Sequence, residues 1–331
     1  MRIAFRTEGN HQQGMGDVWG AVALADEFAR CGDETRFLLS GGDEACAVIA
    51  GRGYRSALVP DLDAEVAALR AFRPDVIVVN KLRNDPSYLR RIRDCCGLLV
   101  TMDDDGDGAS CADLAINVLY PVAGAVMDPE YIALREEFQA LHRLPRPVNP
   151  RVEALLVTQG GSDTYGFTPK IVRSLTHLRA RPHVTVVLGP AFRHDENLRE
   201  AAAGCPVPLT IVRNAPNMGA LMVRADLAIT AGGLTLFELA CAGTPAVVVC
   251  GERFEVGTAH RLAQAGAAVN LGFGGDVHEP QIAQAVDALA ADPARREALS
   301  LRGRALVDGC GSSRVAALIK ERWARLGVAR V

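Results

Sequence analysis

Strand-length apolar runs alternate with amphipathic helical stretches along almost the whole chain, and this alternation restricts the fold more than any other feature. Ile3–Thr7, Thr35–Ser40, Val76–Asn80, Leu98–Met102 and Leu114–Val118 read as strands, with helical patterns such as Val18–Arg30 and Leu62–Phe72 between them. Strands separated by helices pair in parallel, with helices covering both faces of the sheet. Three prolines then fall within the nine residues His142–Pro150, which reads as a linker because proline interrupts helix and sheet alike. The rhythm restarts with Ala154–Thr158, Val184–Leu188, Leu209–Val212, Leu227–Thr230 and Ala246–Cys250. At 331 residues the chain is about two ordinary domains long. The expectation is an α/β protein of two Rossmann-like, doubly wound domains, residues 1–145 and 150–331, facing each other across a cleft. The last helical pattern, Ser313–Arg325, is expected to pack back on the first domain. Ligands of such sheets sit at the carboxyl ends of the strands, so the loops there are where chemistry should lie.

Composition narrows the function classes. A net charge of −3 gives no electrostatic reason to bind nucleic acid or an anionic membrane. No run of 18 apolar residues occurs, and the first residues read as a strand rather than a leader, so a cytoplasmic location is expected. The nine cysteines contain no CxxC pair, and Cys241 and Cys250 lie in apolar segments; they read as buried, reduced thiols. No metal and no cofactor are expected.

The strongest local feature is Thr230-Ala231-Gly232-Gly233-Leu234-Thr235-Leu236-Phe237-Glu238, between a strand and a helix. Two glycines let the backbone approach a ligand, and the helix N-terminus offers N–H groups to a diphosphate. Thr235 adds a hydroxyl, and Glu238, one turn in, can accept both hydroxyls of a ribose. The plainer alternative is a tight turn with a carboxylate supporting the helix start. A second loop, Gln13-Gly14-Met15-Gly16-Asp17-Val18-Trp19, follows the first strand. Spacing alone favours Asp17 as a helix cap; as a cleft residue it would be a general base. A third loop, Gln159-Gly160-Gly161-Ser162-Asp163, opens the second half, where Ser162 or Asp163 can cap the next helix. Lys81 and Arg83 follow the strand ending at Asn80, where they could meet substrate charge or simply be solvated. Asp103-Asp104-Asp105-Gly106-Asp107 begins like an EF-hand loop, but Leu114 stands at its twelfth position, so it reads as an acidic loop and not a calcium site.

Together these segments resemble the two-domain glycosyltransferases called GT-B, and within that fold the UDP-sugar hydrolases of pseudaminic acid synthesis and the related spore-coat polysaccharide proteins. The resemblance covers most of the chain. It rests on Gly14–Asp17, Met102-Asp103-Asp104, Ala112–Asn117, the run Pro129–Phe138, Gln159–Asp163, Val187–Pro190, Asn217-Met218 and Ala225–Glu238. It implies a nucleotide held mainly by the second half, with the diphosphate over Gly232, Gly233 and Thr235, the ribose against Glu238 and the base near Asn214–Met218. Gly16, Gly160, Gly161 and Met218 complete the implied nucleotide set. Asp17 stands where the hydrolases have histidine, Leu82 where they have tyrosine, and Phe254-Glu255 where they have Asn-Gln. Gly-x-x-Gly-Asp is similar instead to the first loop of antibiotic glycosyltransferases, whose aspartate deprotonates the acceptor.

The resulting expectation is an inverting glycosyltransferase of bacterial glycan or glycoconjugate synthesis. Asp17 is its base, and Lys81, Glu255 and Thr258 meet the donor sugar or substrate. Its partners would be a UDP-sugar (or CMP-sugar) donor and a glycan or small-molecule acceptor. The alternatives are a hydrolase in which Asp17 activates water, and a non-catalytic nucleotide-sugar-binding protein.

Overall fold

A computed structural model describes residues 1–12 and 14–328; Gln13, the first residue of the Asp17 loop motif, and residues 329–331 lie outside the described residues. Six strands form the first sheet: β1 (Arg2–Gly9), β2 (Glu34–Gly41), β3 (Ser56–Leu58), β4 (Val76–Asn80), β5 (Leu98–Met102) and β6 (Leu114–Ile116). Six more form the second: β7 (Ala154–Thr158), β8 (His183–Leu188), β9 (Leu209–Arg213), β10 (Leu227–Thr230), β11 (Ala246–Cys250) and β12 (Val269–Phe273). The strand orders are β3-β2-β1-β4-β5-β6 and β12-β11-β10-β7-β8-β9, with parallel pairing throughout. Counted within its own sheet, each follows the order 3-2-1-4-5-6 of a doubly wound nucleotide-binding fold.

The chain divides into two compact units. The first comprises Met1–Asn10, Met15–Glu136 and the residues from Gly309 on, which include the helix Gly311–Val328; the second comprises Glu137–Asp308 with His11–Gly14. Strands covered on both faces must be apolar along their length. That is why β4 (Val-Ile-Val-Val-Asn), β5 (Leu-Leu-Val-Thr-Met) and β11 (Ala-Val-Val-Val-Cys) are buried at every position. In the first unit Phe5 of β1 stacks on Phe37 of β2 at 5.1 Å, inside the sheet–helix layer. In the second, Val157, Ile229, Val247 and Val249 meet Ile171, Ile282 and Val286 from the covering helices.

The proline-rich stretch before β7 is not a loose tether. Arg296, fully buried, donates to the carbonyls of Leu289, Ala290, Asn149 and Pro150, and Arg304 donates to that of His142. Arg146, within the stretch, donates to the Ala225 carbonyl. Arginine suits this role because its planar fork serves several carbonyls at once. Among the described residues no cysteine is in a disulfide; Cys241 and Cys250 are buried as expected, but Cys31 is exposed and the rest are half-buried.

Candidate functional site

Each sheet reverses its winding once, between β1 and β4 in the first unit and between β7 and β10 in the second. The chain leaves the two strands at each reversal in opposite directions, which opens a crevice at their carboxyl ends.

In the first unit the crevice holds Asp17. Its helix runs Gly16–Arg30 with Met15 as the N-cap residue and no side-chain cap bond, so the spacing-based expectation of Asp17 as the cap does not hold. Gly14, at φ +83, turns the chain so that the helix starts one residue before Asp17. The carboxylate instead accepts the backbone N–H of Leu82, just past β4. Burial, then the neighbouring carboxylates of Asp103 and Glu8, hold its pKa well above the usual carboxylate range; the Leu82 N–H and the Lys81 ammonium oppose them. Asn80, at the end of β4, donates its side-chain amide to the Asp17 carbonyl at 3.0 Å. Gly20 makes room for that amide, since a Cβ there would lie 2.9 Å from Asn80 Nδ2.

Lys81 faces the same pocket. Its Nζ is 3.8 Å from Glu8 and 4.7 Å from the centre of the Tyr88 ring, and burial pulls its pKa down. Arg83, its sequence neighbour, pairs at the surface with Asp105. Sequence reasoning took Asp103 only as part of an acidic loop and did not name Glu8; Asp103 directly follows β5, and Glu8 is next to last in β1. The acidic run divides between two roles. Asp104 is fully buried and accepts the N–H groups of Asn84 (3.1 Å) and Gly106 (2.9 Å), whereas Asp103 accepts that of Leu119 at 2.7 Å and lies beside Asp17. Among the described residues no three His, Cys, Asp or Glu side chains group as metal ligands.

In the second unit the loops after β7, β10 and β11 lie side by side. After β10, Gly233 is the N-cap residue of the helix Leu234–Ala242 and no side chain caps that end. Thr235 is the second residue of this helix, and its hydroxyl lies 4.0 Å from where a Cβ of Gly160 would be. Glu238, one turn further, is 6% exposed. After β7, Gly160 takes φ +74, and Gly161 is so close to Gly189 that a Cβ on the latter would sit 2.4 Å from its Cα. Gly166 is the N-cap residue of the next helix, Phe167–Ser174, so neither Ser162 nor Asp163 holds the cap position, although the Asp163 carboxylate accepts the N–H groups of Phe167 (2.7 Å) and Thr168 (2.8 Å) at its start. Met218 opens the helix Met218–Arg224 after β9, with Asn217 accepting from Ala220 N as its cap.

Glu255, at the start of the helix Glu255–Gln264, is bound into the glycine loop. Its Oε2 accepts the N–H groups of Gly232 (3.1 Å), Gly251 (2.8 Å) and Glu252 (3.2 Å). One donor that the sequence reading gave to a diphosphate is therefore satisfied by a carboxylate. Burial pushes Glu255 up to about 7, with Glu252 adding to it, while the three N–H groups hold it down. Thr258, one turn on, is buried at 1% exposure. A prediction follows from the sign of the Glu255 shift. The side chain is mostly neutral below about 7 and mostly ionised above it, so an anion bound beside it would be repelled more as pH rises. If a UDP-sugar binds over the Gly232-Gly233 loop, its affinity should fall as pH rises through 7, by at most about tenfold per pH unit for one linked proton. Calorimetry across pH 6–8.5 should show that fall in the native chain and a flat profile in Glu255→Gln.

No protein-family model matches the chain. Among curated proteins it is similar to the spore coat polysaccharide biosynthesis protein SpsG of Bacillus subtilis, 26% identical over 342 residues covering 98% of this chain and 99% of that one. An uncharacterized protein of Methanocaldococcus jannaschii is 27% identical over 271 residues, 75% of this chain; the chain spans 55% of that relative's length. The crystal structure of MurG from Acinetobacter baumannii matches with a TM-score of 0.68 at 14% identity, over 97% of this chain and 100% of that one. The chain has the GT-B fold. A second GT-B likeness is to the UDP-GlcNAc 2-epimerase of Neisseria meningitidis bound to UDP-GlcNAc, at TM-score 0.66 and 11% identity over 97% and 100% of the two chains. In GT-B terms, Asp17 lies at the winding reversal of the N-terminal sheet, and the Gly232-Gly233 loop at that of the C-terminal sheet. Among the described residues no helix is long and apolar enough to cross a membrane.

Proposed function

We propose that the chain is an inverting glycosyltransferase using a UDP-sugar donor to build a glycan or glycoconjugate. The observation that carries the reading is Asp17: a carboxyl group whose pKa burial, Asp103 and Glu8 all raise, at the carboxyl edge of a doubly wound sheet. A carboxylate raised in this way is a stronger base than one in water, suited to taking a proton from a hydroxyl near neutral pH. Asp17 accepts the acceptor's hydroxyl proton as that oxygen attacks the anomeric carbon. The new C–O bond forms on the face opposite the leaving group, and the bond to the diphosphate breaks with its electron pair leaving on the phosphate oxygen. N–H groups at the start of the helix Leu234–Ala242, with Thr235, stabilise the charge on that diphosphate. Gly16, Gly160, Gly161 and Met218 are assigned to the nucleotide. Lys81, Glu255 and Thr258 are assigned to substrate or donor sugar. The UDP-GlcNAc held by the epimerase of the same fold, and the polysaccharide role in the name of the Bacillus relative, support the nucleotide and the product class.

Glu238 is assigned to the ribose. Removing a carboxylate that accepts from two hydroxyls costs roughly 1.5–3 kcal/mol, about ten- to a hundredfold in Kd. Glu238→Ala should therefore bind UDP that much more weakly by calorimetry while keeping its far-UV circular dichroism. An unchanged Kd would move the ribose elsewhere and withdraw the assignment of the donor to this loop.

A further inference from the structure

Gln159 is the first residue after β7 and is only 5% exposed, yet among the described residues neither its Oε1 nor its Nε2 has a hydrogen-bond partner. A buried amide left unpaired costs stability, since it has given up water and gained nothing in return. Native chains keep such groups rarely, and a ligand that completes them is one reason they do.

The direction of the side chain says which part of a ligand would do so. Gly251, after β11, leaves a methyl-sized space: a Cβ placed there would lie 3.8 Å from Gln159 Oε1, 3.5 Å from Glu255 Oε2 and 3.6 Å from the Cβ of Ala231. The amide thus reaches from β7 past β10 toward β11, into the neighbourhood of Glu255 and away from β8 and β9. The loop after β9, with Asn217 and Met218, is on the opposite side of β7. If the diphosphate spans the Gly232-Gly233 loop and the base lies toward β9, the sugar beyond the diphosphate falls on the β11 side. On that side the Glu255 carboxyl turns Oε2 to three backbone N–H groups, and its Oε1 is 2.9 Å from where a Cβ of Gly233 would be.

We infer that Gln159 is a specificity residue for the donor's sugar, its buried amide pairing with adjacent hydroxyls of a nucleotide-linked hexose beside Glu255. A primary amide presents an acceptor and donors in one plane, and neighbouring pyranose hydroxyls, each donor and acceptor, match both. A site that buries such a group discriminates strongly, because a ligand without the matching hydroxyls leaves it unpaired. This inference rests on the nucleotide-sugar reading above and adds to it the residue that distinguishes a UDP-hexose from UDP.

Gln159→Met tests it, as methionine keeps the length of the chain without its hydrogen bonds. Four quantities are measured for both proteins: melting temperature and the Kd for each of UDP, UDP-glucose and UDP-GlcNAc. The variant should melt about 2–4 °C higher, having lost an unpaired buried group. Its Kd for UDP should stay within about twofold, while its Kd for the preferred UDP-hexose rises about tenfold. Equal losses for UDP and both UDP-hexoses, or a lower melting temperature, would make Gln159 a packing residue and overturn the inference alone. A native chain that binds neither UDP nor either UDP-hexose would overturn the nucleotide-sugar reading, and this inference with it.

Discussion

Asp17→Asn should reduce turnover by roughly 10²- to 10⁴-fold, the usual worth of a general base. Asparagine keeps an oxygen to accept the Leu82 N–H, so the local geometry should survive. The effect on stability distinguishes this side chain from a structural one. In the folded chain burial, Asp103 and Glu8 disfavour the ionised Asp17, so its pKa is raised over the unfolded value. A group of that kind costs the native state stability as pH climbs from the ordinary carboxylate range through the raised pKa. The amide cannot ionise and escapes this cost. At neutral pH the variant should therefore melt at the same temperature as the native chain or higher, with UDP-sugar affinity intact. Its rate should also lack the acid limb expected of the native chain above the usual carboxylate range. The same assay sorts the reactions: a transferase releases UDP quickly only with an acceptor present, a hydrolase releases it in water alone, and a binding protein releases none. Full activity in Asp17→Asn would remove the proposed base.

The sheets were legible wherever a strand is buried on both faces. β4, β5, β7, β10 and β11 begin and end where their apolar runs do, because no solvent-facing residue interrupts them. β3 and β12 escaped notice for opposite reasons. Ser56–Leu58 is a three-residue edge strand exposed at every position, so no burial pattern marks it. Val269–Phe273 contains Asn270 and Gly272, the latter at φ +93, and it pairs beside a register shift between Val248 and Cys250. The glycine loops could be read as loops because positive φ and close backbone approach demand glycine at positions such as Gly160. What those loops contain could not be read, because it comes from residues distant in sequence. Glu255 takes the N–H of Gly232 from 23 positions away, and Asp103 meets Asp17 from the loop after β5. The start of the first helix was misjudged for a local reason: a strong cap residue stood close to a glycine pair that fixed the boundary first.

Gly233→Val should abolish recognition of a diphosphate while leaving the fold intact, and the neighbours of its two glycines explain why Gly233 is the one to change. A Cβ on Gly232 would meet Glu255 Cβ at 2.9 Å, the Glu255 carbonyl at 3.1 Å and Cys250 Sγ at 3.2 Å, so the chain itself closes around that residue. Around Gly233 the close contact is Glu255 Oε1 at 2.9 Å, the end of a flexible side chain that can move aside. Its φ of −87 is negative, so valine is not forced into the left-handed region that favours glycine. The valine methyls would then stand over the start of the helix Leu234–Ala242, in the space where a phosphate must come within hydrogen-bonding distance of its N–H groups. A loss of about 3 kcal/mol or more is expected for UDP and UDP-GlcNAc, over a hundredfold in Kd, with uridine affected by less than about threefold. The melting temperature should stay within about 3 °C of the native value. The ratio of the UDP loss to the uridine loss decides the matter. If both ligands weaken equally, the loop shapes the site without touching phosphate, and the helix start at Gly233 is a turn and nothing more.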